Sequence, residues 1–128
     1  MKGKAVIRKQ SEATEYYFAE KCFITEWSNV PDDPDLSIAQ ARVQPGVTTR
    51  LHRLHGITER YVILSGRGRF EADALPPQDV GPGDVVFILP MCAQRIANTG
   101  QDDLIFLALC TPRFVPEAYE DVDETGDG

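Results

Sequence analysis

Short runs of strand-forming residues, separated by Gly, Pro, Asp and Asn, are the feature that most limits how this chain can fold. They recur at roughly ten-residue spacing, and no long amphipathic helix interrupts them, which favours an all-β sandwich or barrel. The segment SEATEYYFAEK (11–21) fits either a helical turn or a strand, and stays open. The runs are CFITEW (22–27), LSIAQARV (36–43), LHRL (51–54), RYVIL (60–64), GRFEA (68–72), DVVFIL (84–89), QRIAN (94–98) and LIFLALC (104–110).

The length of 128 residues suits one domain with one hydrophobic core. We predict that this domain covers residues 1–116, with its central part at 37–110. No run of eighteen apolar residues is present, so a membrane span is not expected. The N-terminal stretch MKGKAVIRKQ is basic but lacks an apolar segment behind it, so we expect no secretory signal and a cytoplasmic location.

The net charge of −7 is concentrated at the C-terminus. Residues 117–128 contain six acidic residues and no Lys or Arg, and the rest of the chain is nearly neutral. We therefore predict that residues 117–128 form an acidic, flexible tail. A nucleic-acid-binding role would need a basic patch, and the sequence shows none.

The three cysteines, Cys22, Cys92 and Cys110, are widely spaced and contain no CxxC pair. This pattern predicts neither a thiolate zinc site nor a disulfide framework. Cys22 and Cys110 lie in apolar runs and are expected to be buried thiols. Cys92 is expected to pack rather than to act as a nucleophile, because the only histidines, His52 and His55, belong to another motif.

Two segments of the chain resemble the two sequence motifs of the cupin family. From Gly46 to Gly66 the chain reads GVTTRLHRLHGITERYVILSG, and the spacing of its glycines, His52 and Glu59 resembles the first motif. From 83 to 98 it reads GDVVFILPMCAQRIAN, which is similar to the second motif with one extra residue before Pro90. The resemblance covers residues 37–110 and implies a double-stranded β-helix, or jelly-roll barrel.

The resemblance also implies a metal site, in which two histidines, a carboxylate and a third histidine converge inside the barrel. Such a set of nitrogen and oxygen ligands suits a divalent transition metal such as Mn, Fe, Ni or Zn. This sequence departs from it first at the histidine pair. Counting from Gly46 places the pair at His52 and Leu54, whereas counting back from Glu59 places it at Arg53 and His55.

Strand side chains alternate between faces, so His52 and His55 point in opposite directions unless a bulge near Gly56 shifts the alternation. The second departure is Gln94, which stands where the second motif has its histidine. An amide oxygen is a weaker ligand than imidazole, so we expect weaker metal affinity. The predicted metal ligands are His52, His55, Glu59 and Gln94.

Glu59 shares its strand face with Tyr61 and is expected to point inward, where a buried charge needs a metal or a cationic partner. The rival explanation is a salt bridge to a nearby arginine without any metal. Gln94 is equally compatible with a metal ligand and with an inert pocket amide. The candidate arginines are Arg50, Arg53 and Arg95. The other residues predicted to form the pocket are Arg50, Tyr61, Phe70, Cys92 and Ile96.

Two functional hypotheses follow. The first is a small-molecule cupin with a divalent metal in the barrel, acting as an oxygenase, isomerase or lyase. The second is a metal-free ligand-binding or sensory barrel without catalysis. The expected partner is a small-molecule ligand, without nucleic acid or membrane. The resemblance further implies a homodimer, in which the runs KAVIR (4–8) and YYF (16–18) add to a partner's sheet edge.

Overall fold

The computed structural model describes residues 3–125 and has the predicted all-β architecture, built from two antiparallel sheets. Short 3-10 turns at Gln10–Glu12 and Pro116–Ala118 are its helical elements in this range. The strands are β1 (Tyr16–Phe18), β2 (Cys22–Ser28), β3 (Ser37–Val43), β4 (His52–Leu54), β5 (Thr58–Ser65), β6 (Gly68–Ala72), β7 (Leu75–Val80), β8 (Val85–Ile88), β9 (Gln94–Asn98), β10 (Leu104–Thr111) and β11 (Tyr119–Asp121).

The larger sheet has the strand order β1-β2-β3-β10-β5-β8, and the smaller one the order β11-β4-β9-β6-β7. Non-consecutive strands lie side by side in both sheets. As a result, the two predicted motif segments contribute to both sheets: β4 and β9 belong to the smaller sheet and β5 to the larger. Residues from the two motifs therefore meet in the space between the sheets.

The core fills that space with the inward-facing residues of each strand. β5 alternates as a half-buried strand should, with Glu59, Tyr61 and Ile63 buried and their neighbours more exposed. A smaller apolar cluster near the C-terminus joins Leu54 and Ala118. The largest fully buried apolar residues of the main core are Tyr61, Phe106, Ile63, Ile96, Leu104 and Val43.

Gly66 ends β5 at a position that only glycine suits. Its φ of +88° lies in the left-handed region, and a Cβ built there would stand 2.6 Å from the carbonyl oxygen of Asp103. Two segments of the chain approach each other closely at this point, which explains why the position is occupied by glycine.

Most of the predicted strands are confirmed to within two residues at each end. The Pro76-Pro77 pair lies inside β7 rather than in a turn, and this is tolerated because β7 is an edge strand. The segment SEATEYYFAEK (11–21), which fitted either a helical turn or a strand, contains β1 and part of a 3-10 turn. The run KAVIR (4–8) belongs to no strand, and its Val6 and Ile7 are 73% and 78% exposed.

Residues 117–125 belong to the segment predicted to be a flexible tail, but in the structure they include strand β11. β11 pairs with β4, and Arg50 forms a salt bridge with Asp121 at 3.0 Å. Asp123 accepts a hydrogen bond from the backbone N–H of Leu51 at 2.9 Å. The acidic residues there bind specific partners, which composition alone does not reveal. Residues 126–128 lie outside the described residues.

Within the described range, no helix has the length and apolar character needed to cross a membrane.

Candidate functional site

The candidate site is a small cavity, of ≈ 70 Å³, between the two sheets; we call it the central cavity. This volume is several times the roughly 10–15 Å³ that a single water needs. β1, β2, β3, β5 and β10 supply one side of it and β4 and β11 the other. The titratable residues that line the cavity are Glu20, Glu26, His52, Glu59, Cys110, Tyr16 and Tyr119.

His52 is held at the inner face of β4, directly opposite Gln94 of β9. His52 is 1% exposed, and its Nδ1–H donates to the backbone carbonyl of Arg50 at 2.8 Å. This bond fixes the tautomer of the neutral ring, because the carbonyl oxygen can only accept. The lone pair of Nε2 therefore faces the interior.

Gln94 connects the polar groups of the interior through both ends of its amide. Its Nε2 donates to His52 Nε2 at 2.8 Å and to Glu59 Oε1 at 3.1 Å. Its Oε1 accepts from the hydroxyl of Tyr61 at 2.9 Å. The arrangement gives a buried amide its hydrogen-bond partners and joins residues from three strands into one network.

Glu59 is a buried carboxyl group in an apolar wall. Burial raises its pKa, the charge of His52 opposes that rise, and the net result is a pKa of about 7. Cys110 also contacts the carboxylate, with its sulfur 3.9 Å from Oε2. Among the described residues, Arg50, Arg53 and Arg95 form salt bridges with Asp121, Glu120 and Glu71 rather than with Glu59.

Glu20 belongs to the site although the sequence motifs do not include it. It lies in the turn between β1 and β2, and Oε1 of its carboxylate is 3.4 Å from His52 Nε2. The backbone N–H of Arg50 donates to the Glu20 carbonyl at 2.9 Å, which ties this turn to the segment before β4. Burial raises the pKa of Glu20, and His52 opposes the rise.

The same pair of carboxylates acts on His52. Burial of the ring disfavours its charged form, but Glu20 and Glu59 outweigh that effect and raise the pKa of His52 above its ordinary value. The pKa values of Glu20, Glu59 and His52 thus all move upward. Such clustering of perturbed groups in a cavity is typical of functional sites.

Tyr119 of β11 forms part of the cavity wall. Its ring stacks on His52 with centroids 5.1 Å apart, and it meets Phe18 edge to face at 5.0 Å. The hydroxyl oxygen is buried and has no hydrogen-bond partner among residues 3–125. A buried donor without a partner is uncommon in proteins.

His55, which was predicted as a metal ligand, does not line the central cavity. Its side chain is 50% exposed, and its Nε2 lies 2.6 Å from Glu120 on the outer face. Gly56 does adopt a left-handed φ of +70°, but the bend at His55 and Gly56 follows β4 and leaves its alternation intact. Leu54 occupies the inward position and lines the cavity.

The other predicted pocket residues are divided between several places. Arg50 contributes its backbone to the site, while its guanidinium turns to the C-terminal segment. Tyr61 lies behind Gln94, and Ile96 is a fully buried core residue. Phe70 and Cys92 line a different depression between β7 and β8, which we call the β7–β8 cleft. Tyr61, Phe70 and Ile96 are buried, but none of the three lines the central cavity.

The donor set does not fit the metal centre that the motifs implied. His52, Glu59 and Gln94 do converge, but the N–H₂ group of Gln94 points between the imidazole nitrogen and the carboxylate. Hydrogen-bond donors thus face the position where a cation would need lone pairs. Among residues 3–125, no three His, Cys, Asp or Glu side chains are grouped to hold a metal ion.

Comparison with known proteins identifies relatives of this chain. An uncharacterized protein of Methanocaldococcus jannaschii is 34% identical over 87 residues, 68% of this chain and 66% of the relative. An oxalate-binding protein of Thermotoga maritima is 38% identical over 71 residues, 56% of this chain and 58% of the relative.

The structure of Pac13 from Streptomyces, a nucleoside dehydratase, superposes with a TM-score of 0.78 at 15% identity, covering 94% of this chain and 92% of Pac13. This likeness confirms the predicted jelly-roll barrel. The family model for the cupin domain matches residues 39–110. The chain therefore belongs to the cupin family.

Proposed function

We propose that this chain is a metal-independent cupin that catalyses proton transfer on a small molecule, as an isomerase or a lyase. The observation that carries the proposal is the hydrogen-bonded group of His52, Gln94 and Glu59 at the wall of the central cavity. Of the reactions expected from the sequence, isomerisation and elimination need an acid and a base, which this group supplies.

Glu59 is suited to be the proton-transferring group. Its pKa of about 7 means that both forms of the carboxyl group are present near neutral pH. The carboxylate can accept a proton from a carbon of the ligand, and the carboxylic acid can return it to a leaving oxygen or to another carbon. His52 Nε2 accepts the Gln94 N–H and lies 3.4 Å from Glu20, so the imidazole supports the network beside Glu59 rather than accepting a proton from the ligand.

Gln94 acts as a positioning residue in this scheme. It does not line the cavity, and its amide does not titrate, but it donates to both proton-carrying atoms. Loss of the Gln94 bonds would leave Glu59 and His52 free to turn. A fixed orientation of the reacting groups is what such a site needs for efficient proton transfer.

The similar proteins support this class of function. Pac13 is a nucleoside dehydratase, so the cupin fold supports an elimination reaction in at least that protein. Oxalate, which is bound by the relative from Thermotoga maritima, is a dianion. We do not extend it to this chain, because Glu20 and Glu59 at the cavity wall would repel it.

Exchange of carbon-bound hydrogen for deuterium tests the proposal. We would incubate small carbonyl and hydroxyl compounds with tag-free, chelator-treated protein in D₂O and follow C–H signals by NMR. We expect exchange for compounds that bind, and a loss on the order of a hundredfold in Glu59→Gln. The surface variant Glu12→Gln makes the same change of charge outside the cavity and should exchange normally.

Three outcomes would contradict the proposal. Binding without exchange would favour the ligand-binding barrel without catalysis. Exchange that appears only after a divalent metal is restored would favour the metal centre. Equal exchange by Glu59→Gln and the parent protein would remove Glu59 from the chemistry.

A further inference from the structure

The larger sheet is apolar on its outer side over three neighbouring strands, β8, β5 and β10. Side chains of paired residues point to the same side of a sheet, and the register places Val85 next to Val62 and Val62 next to Leu107. These three positions alternate with the inward-facing residues of their strands. We call this surface the outer face; its apolar residues are Val62, Leu64, Val85, Phe87, Leu107 and Leu109.

The outer face exposes more apolar surface than packing within one chain requires. Leu64 and Val85 are 42% and 63% exposed, and Phe87 is exposed at the border of the face, next to the β7–β8 cleft. We put the exposed apolar area of the face on the order of 500 Å², near the upper end of the largest patches found on monomeric proteins. A standard interface takes about 800 Å² from each partner. The face and a polar rim around it therefore supply the area that a stable dimer needs.

The outer face also lacks acidic residues, although the chain has twenty of them and a net charge of −7. Glu59 is the one acidic residue within β5, β8 and β10, and it is buried on the inner side. The acidic strand β11 belongs to the smaller sheet. Two copies of a negatively charged chain repel each other least where they meet on a surface without acids. The distribution of charge thus favours contact between copies at this face.

Arg60 is the one charged side chain among the described residues of the outer face. Its guanidinium donates to the hydroxyl of Thr111 and lies over the ring of Phe87, so its contacts are within its own sheet. It therefore needs no carboxylate from another protein. A neutral apolar surface with one internally bound cation is compatible with its own copy, whereas a partner of opposite charge would find little to pair with.

From these observations we infer that the outer face packs against the same face of a second copy, related to the first by a twofold axis. Such a contact uses one patch on both subunits, and packing of two sheets face to face is a common arrangement. It differs from the predicted addition of KAVIR (4–8) and YYF (16–18) to a partner's sheet edge, because β1 and β8 are at opposite ends of the larger sheet. The inference concerns assembly and goes beyond the proposed function.

Sedimentation equilibrium of the full chain without a tag tests this inference. We expect the parent protein to have the mass of two chains at concentrations of about 10–100 μM. Val85→Asp and Leu64→Asp each place a carboxylate in the apolar contact, where it would be buried without a partner, so we expect the dimer to weaken by about a hundredfold or more. Circular dichroism verifies that each variant is folded, and Val85→Asp, on an edge strand, is decisive if Leu64→Asp does not fold.

Two matched controls introduce the same charge at exposed apolar residues outside the face. Val6→Asp lies in the run KAVIR and Tyr17→Asp in β1, and both variants should remain dimeric. A parent protein that is monomeric at about 100 μM would overturn the inference. Dissociation by the controls as strong as that by the outer-face variants would do so too, as would a dimer that withstands both Val85→Asp and Leu64→Asp. None of these results bears on deuterium exchange, so the proposed function is judged separately.

Discussion

The central cavity and the β7–β8 cleft lie in the same small barrel, yet they differ in what their walls contain. The cavity combines buried His52, Glu59 and Glu20 with aromatic rings. The cleft is lined mainly by apolar side chains, among them Phe70, Leu75, Val85, Phe87 and Leu89, with Asp73 and Gln78 exposed at its edge. The difference teaches that an apolar depression at the surface is common, whereas buried groups with shifted pKa values mark one place in the fold.

The largest expected effect is the loss of stability when the hydrogen bonds of the buried Gln94 amide are removed. Gln94→Leu removes the partner of the Tyr61 hydroxyl, His52 Nε2 and Glu59 Oε1 at once. Each buried group left without a partner costs about 1–3 kcal/mol, so we expect the free energy of unfolding to fall by about 4 kcal/mol. Urea denaturation followed by circular dichroism measures it.

The same substitution in the cleft provides the matched control. Gln78 is exposed, and we expect Gln78→Leu to change the free energy of unfolding by no more than about 0.5 kcal/mol. Similar losses in the two variants would show that the amide at the cavity has no special role in stability.

The second effect is on the pH dependence of stability. A carboxyl group whose pKa is raised from 4.5 to about 7 on folding binds more protons in the native state than in the unfolded state. Its neutral form stabilises the fold fully below pH 4.5, and this contribution is lost as the pH rises through 7. It amounts to about 3 kcal/mol, and the raised pKa values of Glu20 and His52 act in the same direction.

We therefore expect the free energy of unfolding to decrease between pH 5 and about pH 7.5. Glu59→Gln should flatten this decrease, whereas Asp73→Asn at the β7–β8 cleft should leave its slope unchanged. Unfolding curves collected at half-unit pH intervals give the slope. A steeper decrease in Glu59→Gln would mean that the carboxyl group is ionised and paired in the native protein.

Part of the central cavity could be predicted from sequence, because the resemblance to the two cupin motifs implied which residues converge in the barrel. That resemblance placed His52, Glu59 and Gln94 in the interior, and all three are buried there. His55 lies on the outer face because the bend at His55 and Gly56 follows β4 and does not change its alternation.

Glu20 and Tyr119 could not be predicted in this way. Glu20 lies in a turn that reaches the site through a backbone bond to Arg50, a contact between distant parts of the chain. Tyr119 was assigned to a loose acidic tail on the basis of composition. Pairing of β11 with β4 makes that segment part of the smaller sheet, and composition does not report pairing.

The smallest effect is expected at the β7–β8 cleft itself. Phe87 is 60% exposed on the edge strand β8, and the Arg60 guanidinium lies 5.4 Å from its ring centroid. We expect Phe87→Ser to lower the free energy of unfolding by about 0.5–1 kcal/mol and to leave the deuterium exchange that depends on Glu59 unchanged. Thermal unfolding and NMR measure both, and slower exchange would show that the two regions are coupled.

The positions of the turn before β2 and of β11 affect how far the ligand of one family member can be inferred from that of another. The family match covers residues 39–110, and both Glu20 and Tyr119 lie outside it. A barrel inherited with little change can thus receive a new ligand preference from the segments at its two ends. Alignments restricted to the shared barrel would group this chain with proteins of unlike specificity, and sorting such relatives by their flanking segments should separate them better.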